Sequence, residues 1–429
     1  MNKRSAYIKA GIRLHYFPTE KFTTNTYTAY FLAPLGEKSA PLATLLSKVL
    51  KKGSAAYPSQ EQIVKRAEEL YSSHVVSGVT KIAESQGFFV SLSALDNRFA
   101  FDGTDIAKES VSFFASLLLE PLLRDGVFLE ETVEREKKAL LDRILSKINN
   151  KGAYAMQRCR EIMFENEAYR FSIDGSREVV ESVTPADLYS AYRDWLDNAP
   201  IEIFYIGKES FSSVFARTEH LFKGFAPRKA FSFHTEIRPS VNGVKRVTES
   251  ADAVQGKLVM GFRAPTIASD KDFFALYLLD AVYGSSPVSK LFMNVREKLS
   301  LCYYCSTMCD LDKSVLFVSS GVENENAAAA EKEILQQLSE IAEGNITDKE
   351  LLCAKASLSD YLRSIDDSPY SVERFMLTQA LRESSYFPND YIERLDQVTK
   401  EDLMRVASTL SLDTVYFLEG TAKGVSADE

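Results

Sequence analysis

Histidine is scarce in this 429-residue chain: four are present, His15, His74, His220 and His234, and no two stand four positions apart. No helix can therefore turn two imidazoles to one face, which removes a common way of holding a catalytic zinc ion. Basic residues are in deficit, 51 Lys and Arg against 60 Asp and Glu. The net charge of -9 argues against nucleic-acid or anionic-membrane partners, which are bound through basic patches. Long apolar runs are missing. The longest, Val111 to Leu123, is broken by Ser116, Glu120 and Pro121 and is too short to span a bilayer. Met1 to Phe17 carries charges throughout, unlike a signal peptide. Five cysteines, an odd number, fit free thiols in a reducing compartment better than a disulfide framework, so the chain is read as cytoplasmic. Cys302, Cys305 and Cys309 fall on an expected strand whose alternation puts Cys302 on the face opposite the other two. They are read as packed thiols rather than metal ligands. No Gly-x-Ser-x-Gly or comparable nucleophile setting occurs.

What is present is a globular composition, 45% hydrophobic and 26% charged, at a length that implies two domains of about 200 residues. The chain also repeats itself. Glu178-Val-Val-Glu-Ser-Val-Thr184-Pro-Ala-Asp187-Leu recurs as Glu393-Arg-Leu-Asp-Gln-Val-Thr399-Lys-Glu-Asp402-Leu, displaced by 215 positions. Thr184 and Thr399 read as helix N-caps with Asp187 and Asp402 as their carboxylate partners. Each copy leads through a helix into an apolar strand, Ile201 to Gly207 and Val415 to Gly420, and two such caps at matching places imply a duplicated domain. Strands are expected at Ile12 to Phe17, Thr26 to Leu32, Val75 to Ile82 and Gly87 to Ala94, with helices from Pro41 to Lys51 and Phe128 to Ile148. The second half repeats this order, with a strand over Lys257 to Phe262 and a helix over Asp270 to Tyr283. Between them, Leu221 to Val247 dissolves into Lys, Arg, Pro and Gly. The fold class expected is α+β: two homologous α/β-layer domains of about 210 residues, 1–220 and 248–429, joined by a linker over 221–247.

The stretch Ser289-Lys-Leu-Phe-Met-Asn-Val-Arg296-Glu-Lys-Leu-Ser-Leu-Cys-Tyr303-Tyr304 joins a helix to a strand. Leu291, Phe292, Val295 and Leu299 draw an apolar stripe with Arg296 at its border, and Tyr303 and Tyr304 point to opposite faces of the strand. Taken alone, such an arginine snorkels over its own helix and such a tyrosine packs in a core. The pattern Ser-x-Leu-Phe-x-x-x-Arg-Glu-x-Leu-x-Leu-x-Tyr, however, resembles the C-terminal-half motif of the pitrilysin/insulinase family, the inverted-zincin peptidases. Lys52-Gly-Ser54-Ala-Ala-Tyr-Pro-Ser59 is similar to the turn that follows the family's zinc helix. The Gly175 to Leu188 segment is similar to the glycine-led stretch ahead of its last helix in the half. The resemblance runs from Ile12 to Gly420.

An active inverted zincin needs His-x-x-Glu-His on one helix and a further glutamate from a later one. Counted back from the Lys52-Gly53-Ser54 turn, those positions hold Thr44, Ser47 and Lys48, and the later glutamate pattern falls on Glu136 and Arg143. Coulomb repulsion from Lys48 and Arg143 opposes a dication here. The resemblance therefore implies no metal cofactor in this chain. Some bacterial members of the family are heterodimers in which one subunit carries zinc and the other the arginine-tyrosine pair. On that pattern, Arg296 and Tyr303 bind a peptide or small-protein substrate, and zinc is expected in a homologous partner subunit. Two other readings stay open: a catalytically silent scaffold, and an escort that delivers a peptide to a modifying enzyme. If the strand register shifts by one, Tyr304 takes the place of Tyr303.

Overall fold

The computed structural model describes residues 3–233, 235–265 and 272–421. His234 and the Asp270 start of the expected Asp270–Tyr283 helix lie outside the described residues. The chain forms two compact units.

The first unit takes residues 1–145, 171–234 and 366–383. Its sheet has six strands: β1 (Arg4–Lys9), β2 (Ile12–Pro18), β3 (Thr24–Pro34), β4 (His74–Ile82), β5 (Ser85–Leu95) and β6 (Ile201–Gly207), in the order β1-β2-β6-β3-β5-β4. Only β2 and β6 run parallel. Alternation along β3 sends Tyr27, Ala29 and Phe31 into a core shared with the helices Ser39–Val49, Ile106–Leu119 and Pro185–Asn198. On the other face, Thr28 and Tyr30 meet the helix Pro369–Leu381. Their hydroxyls donate to Glu373 at 2.6 and 2.5 Å.

The second unit takes residues 146–170, 235–365 and 384–421. Its strands are β7 (Lys245–Ala251), β8 (Gly256–Arg263), β9 (Cys302–Asp310), β10 (Val315–Val322) and β11 (Ser411–Gly420), in the order β9-β10-β8-β11-β7. Again one pair alone is parallel, β11 with β7. With the edge strand β1 set aside, the two sheets are wired alike: β7-β11-β8-β10-β9 matches β2-β6-β3-β5-β4 strand for strand. Both capping boxes are present, Thr184 with Asp187 and Thr399 with Asp402, and each opens the helix that feeds the parallel strand. The sequence repeat is therefore a repeat of topology.

The compact units differ from a division at residues 220 and 248. The helix Lys151–Met163 belongs to the second unit, where Cys159 and Met163 pack with Val259 and Phe317 of the sheet. The helix Pro369–Leu381 belongs to the first. Each unit thus covers one sheet face with a helix drawn from the other half of the sequence.

Candidate functional site

In the first unit, the positions at which the sequence comparison expects metal ligands lie on Ser39–Val49 and Glu130–Ser146. Thr44 and Ser47 are buried, at 4% and 1% exposure, and their hydroxyls are engaged. Thr44 donates to the carbonyl of Ile173 at 2.6 Å and Ser47 to that of Thr44 at 2.8 Å. Arg143 donates to the carboxylate of Asp174, the residue after Ile173. Thr44 and Arg143 therefore reach consecutive residues of one segment. Charge at this place is positive. Burial first, then the neighbouring charges of Lys48 and Lys52, push the Lys51 ammonium below its ordinary range. Glu136 is held at 3.4 Å by Lys52 and by Arg135. Among the described residues, no cluster of three carboxylate, imidazole or thiol donors forms at these positions. Buried hydroxyls, a lysine and an arginine do not fit zinc.

In the second unit, the helix Leu291–Lys298 is wound in the wide five-residue turn, and its end is marked by the Leu299 N–H donating to the Asn294 carbonyl at 3.1 Å. Leu291 and Val295 anchor it with no exposure. Leu299, expected on the apolar stripe, is instead 45% exposed, because the chain reverses immediately after it. Ser300 takes the left-handed conformation, φ 50°, and turns the backbone into β9. Arg296 sits in the last turn, where the helix's negative end favours a cation. Its guanidinium lies 4.8 Å from the Phe292 ring centroid and 3.5 Å from Glu297, with the side chain 41% exposed.

Tyr303 is the extra residue of a bulge. Cys302 opposes Val322 on β10 and Tyr304 opposes Gly321, so Tyr303 has no partner in the ladder. It is 54% exposed, and its hydroxyl donates to Glu323 at 2.5 Å. That hydrogen bond, with the carboxylate's charge, pushes the phenol's pKa up. Tyr304 lies over Gly321, where a Cβ would stand 2.6 Å from its ring. Arg296 and Tyr303 thus flank one helix-to-strand turn, both partly exposed, and the charge of Arg296 reaches Cys302 beside Tyr303.

The bulge corrects one sequence expectation. Cys302 does not face away from Cys305; the extra residue brings both to the buried side. Glu323 went unnoticed in the sequence, because a contact across twenty positions leaves no local pattern.

The family model described as Peptidase M16 inactive domain matches residues 182–358. A Bacillus subtilis (strain 168) protein named probable inactive metalloprotease YmfF is 28% identical over 411 residues, 96% of each chain. The crystal structure of a conserved protein from Enterococcus faecalis V583 superposes with a TM-score of 0.91 at 27% identity, covering 99% of this chain and 100% of that one. A structure described as the peptidase M16 inactive domain from Pseudomonas fluorescens shares the fold, with a TM-score of 0.80 at 16% identity over 99% and 100% of the two chains.

Proposed function

The chain belongs to the M16 peptidase family as an inactive homologue, and from that premise we propose that it is the non-catalytic, substrate-binding subunit of a two-chain zinc peptidase acting on peptides or small proteins. The partner would be a homologous subunit carrying His-x-x-Glu-His, whose zinc supplies the hydrolytic chemistry. The observation that carries this reading is a contrast within one chain. The metal positions Thr44, Ser47, Lys48 and Arg143 are filled by groups that cannot ligate zinc, two of them buried hydroxyls, while Arg296 and Tyr303 stay 41% and 54% exposed at a helix-strand junction.

Arg296 presents a planar fork of donors that can orient a peptide carbonyl or carboxylate. Tyr303, neutral at pH 7, can donate its one hydroxyl proton to a carbonyl oxygen as negative charge gathers there. It must first release Glu323. Neither group needs to belong to the polypeptide that holds the metal. Among the described residues no helix is long and apolar enough to cross a membrane. The five free cysteines support a reducing, cytoplasmic setting.

The test is reconstitution. The purified chain should be zinc-free and inactive, and a co-purifying His-x-x-Glu-His subunit should restore cleavage. Loss of the Tyr303 hydroxyl in Tyr303→Phe should then lower turnover by about a hundredfold. Full activity in an Arg296→Ala, Tyr303→Phe double variant would overturn the role given to the pair. A silent scaffold or peptide escort is favoured by one observation, that Glu323 already occupies the Tyr303 hydroxyl. A stable complex without hydrolysis would decide for it.

A further inference from the structure

β9 opens with two cysteines separated by two residues, and the bulge between them decides what they can do. In a regular strand, residues three apart face opposite sides. Here Tyr303 drops out of the ladder, so Cys302 and Cys305 share the buried side at 9% and 4% exposure. Ser320 of β10 stands opposite Cys305 in the register. The two thiols lie within hydrogen-bonding reach of each other, while the Ser320 hydroxyl donates to the Tyr304 carbonyl at 2.9 Å. β9 is an edge strand and Cys302 is its first residue, which leaves the first sulfur beside the exposed Tyr303 and within the field of Arg296.

We propose that Cys302 and Cys305 form a redox-active dithiol that closes to a disulfide across the Tyr303 bulge and so regulates the grip of Arg296 and Tyr303 on peptide. The regulatory half rests on the substrate-binding reading above; the dithiol half does not. The roles of the two sulfurs are unequal. The hydrogen bond from Cys305, with the charge of Arg296, outweighs burial and holds the Cys302 thiol down at about 7. The same bond, with burial, pushes Cys305 well up. Cys302 is therefore the nucleophile and Cys305 the resolving thiol. By contrast, burial pushes the Cys159 thiol up to about 12 and that of Cys309 well up.

With a hydroperoxide as oxidant, the Cys302 thiolate attacks the peroxide oxygen, the O–O bond breaks, and a sulfenic acid forms with hydroxide leaving. The Cys305 sulfur then attacks the sulfenic sulfur, loses its proton and expels water. Two thiols and hydrogen peroxide give one disulfide and two waters, the two electrons passing from sulfur to oxygen. A small dithiol reverses the change by exchange. Closure has two effects on the site. It removes a negative charge that lies within the field of Arg296, and it ties together the residues on either side of Tyr303.

The experiment treats the native, full-length chain with hydrogen peroxide, then traps free thiols and maps them by mass spectrometry. Expected is a Cys302–Cys305 disulfide, two hydrogens lighter, with Cys159 and Cys309 still free. Anisotropy of a fluorescein-labelled casein digest should then show binding at least threefold tighter, reversed by dithiothreitol and absent in Cys302→Ser and Cys305→Ser chains that keep the wild-type circular dichroism. Both thiols remaining free, or Cys302 stopping at an unresolved sulfenic acid, would overturn the dithiol without needing any variant. A disulfide that leaves binding unchanged would overturn the regulation alone. Binding that responds to oxidation but not to Arg296→Ala would instead refute the substrate-binding reading while leaving the dithiol standing.

Discussion

The hydroxyl of Tyr303 carries a single proton, and in this structure Glu323 accepts it at 2.5 Å. If Tyr303 grips substrate, Glu323 is a competitor, and deleting it should help. An intramolecular hydrogen bond at a half-exposed place biases the population by about threefold to tenfold, since water replaces most of what is lost. Glu323→Ala should therefore raise the peptidase activity of the reconstituted complex by about that factor. Tyr303→Phe, by contrast, removes the donor itself and should lower turnover about a hundredfold. The decisive measurement is the cycle of both. In a Tyr303→Phe background, Glu323→Ala has nothing left to release and should change nothing, so the pair is strongly non-additive. Cleavage of a quenched-fluorescence peptide, followed as kcat and KM for the four chains, reads this directly. If Glu323→Ala alone behaves like Tyr303→Phe, the carboxylate is supporting the site rather than competing with substrate. Additive effects would mean that the hydroxyl acts independently of Glu323. Either result refutes the reasoning.

Two further predictions concern buried charge. Burial pushes the carboxyl of Glu373 up, against the lowering effect of hydrogen bonds from Thr28 and Tyr30. Its native form therefore binds a proton more readily than its unfolded form. The associated stability is present below the unfolded value of about 4.3 and is lost as pH rises through the raised native one. Glu373→Gln, which cannot ionise, should gain on the wild type as pH is taken from about 4 to 7, read by urea midpoints at each pH; a constant difference would be contrary. In the second unit, Lys313 is fully buried between Glu167, at 2.6 Å, and the carbonyl of Glu236, at 2.5 Å. Burial tends to raise Glu167, but its bonds from Arg263 and Lys313 win and hold it low. Lys313→Met should cost about 3 kcal/mol in urea unfolding, the low end for a broken buried pair because Arg263 remains. A loss below about 1 kcal/mol would contradict that placing.

The elements that bury an apolar face were legible in the sequence; those stabilised only by distant partners were not. Thr184 and Thr399 announced their helices because a capping box lies within four residues. β1 and β7 were missed: Arg4–Lys9 and Lys245–Ala251 are polar edge strands with no buried residue, defined only by their neighbours' register. That the helices Lys151–Met163 and Pro369–Leu381 each join the other half's unit was not legible, since periodicity says that a helix has an apolar face and not where that face goes. At the candidate site, Arg296 and Tyr303 were reached through the motif. The bulge that makes Tyr303 an unpaired residue and aligns the two thiols was invisible, because one inserted residue leaves composition and hydropathy unchanged.

In the first unit, the positions expected for metal ligands are engaged in bonds of their own. A zinc ion held between two helices would draw both toward a common point. In this chain the same segment is held by other means: Thr44 on Ser39–Val49 donates to Ile173, and Arg143 on Glu130–Ser146 pairs with Asp174. Lys48, in the last turn of its helix, stands where the negative end of the helix favours a cation. These substitutions depend on one another. Histidines placed at 44 and 48 alone would leave Arg143 in place and would break the bond from Thr44 to Ile173. Groups that secure this unit stand at the positions expected for zinc ligands, and on the reading proposed above the metal comes on another polypeptide.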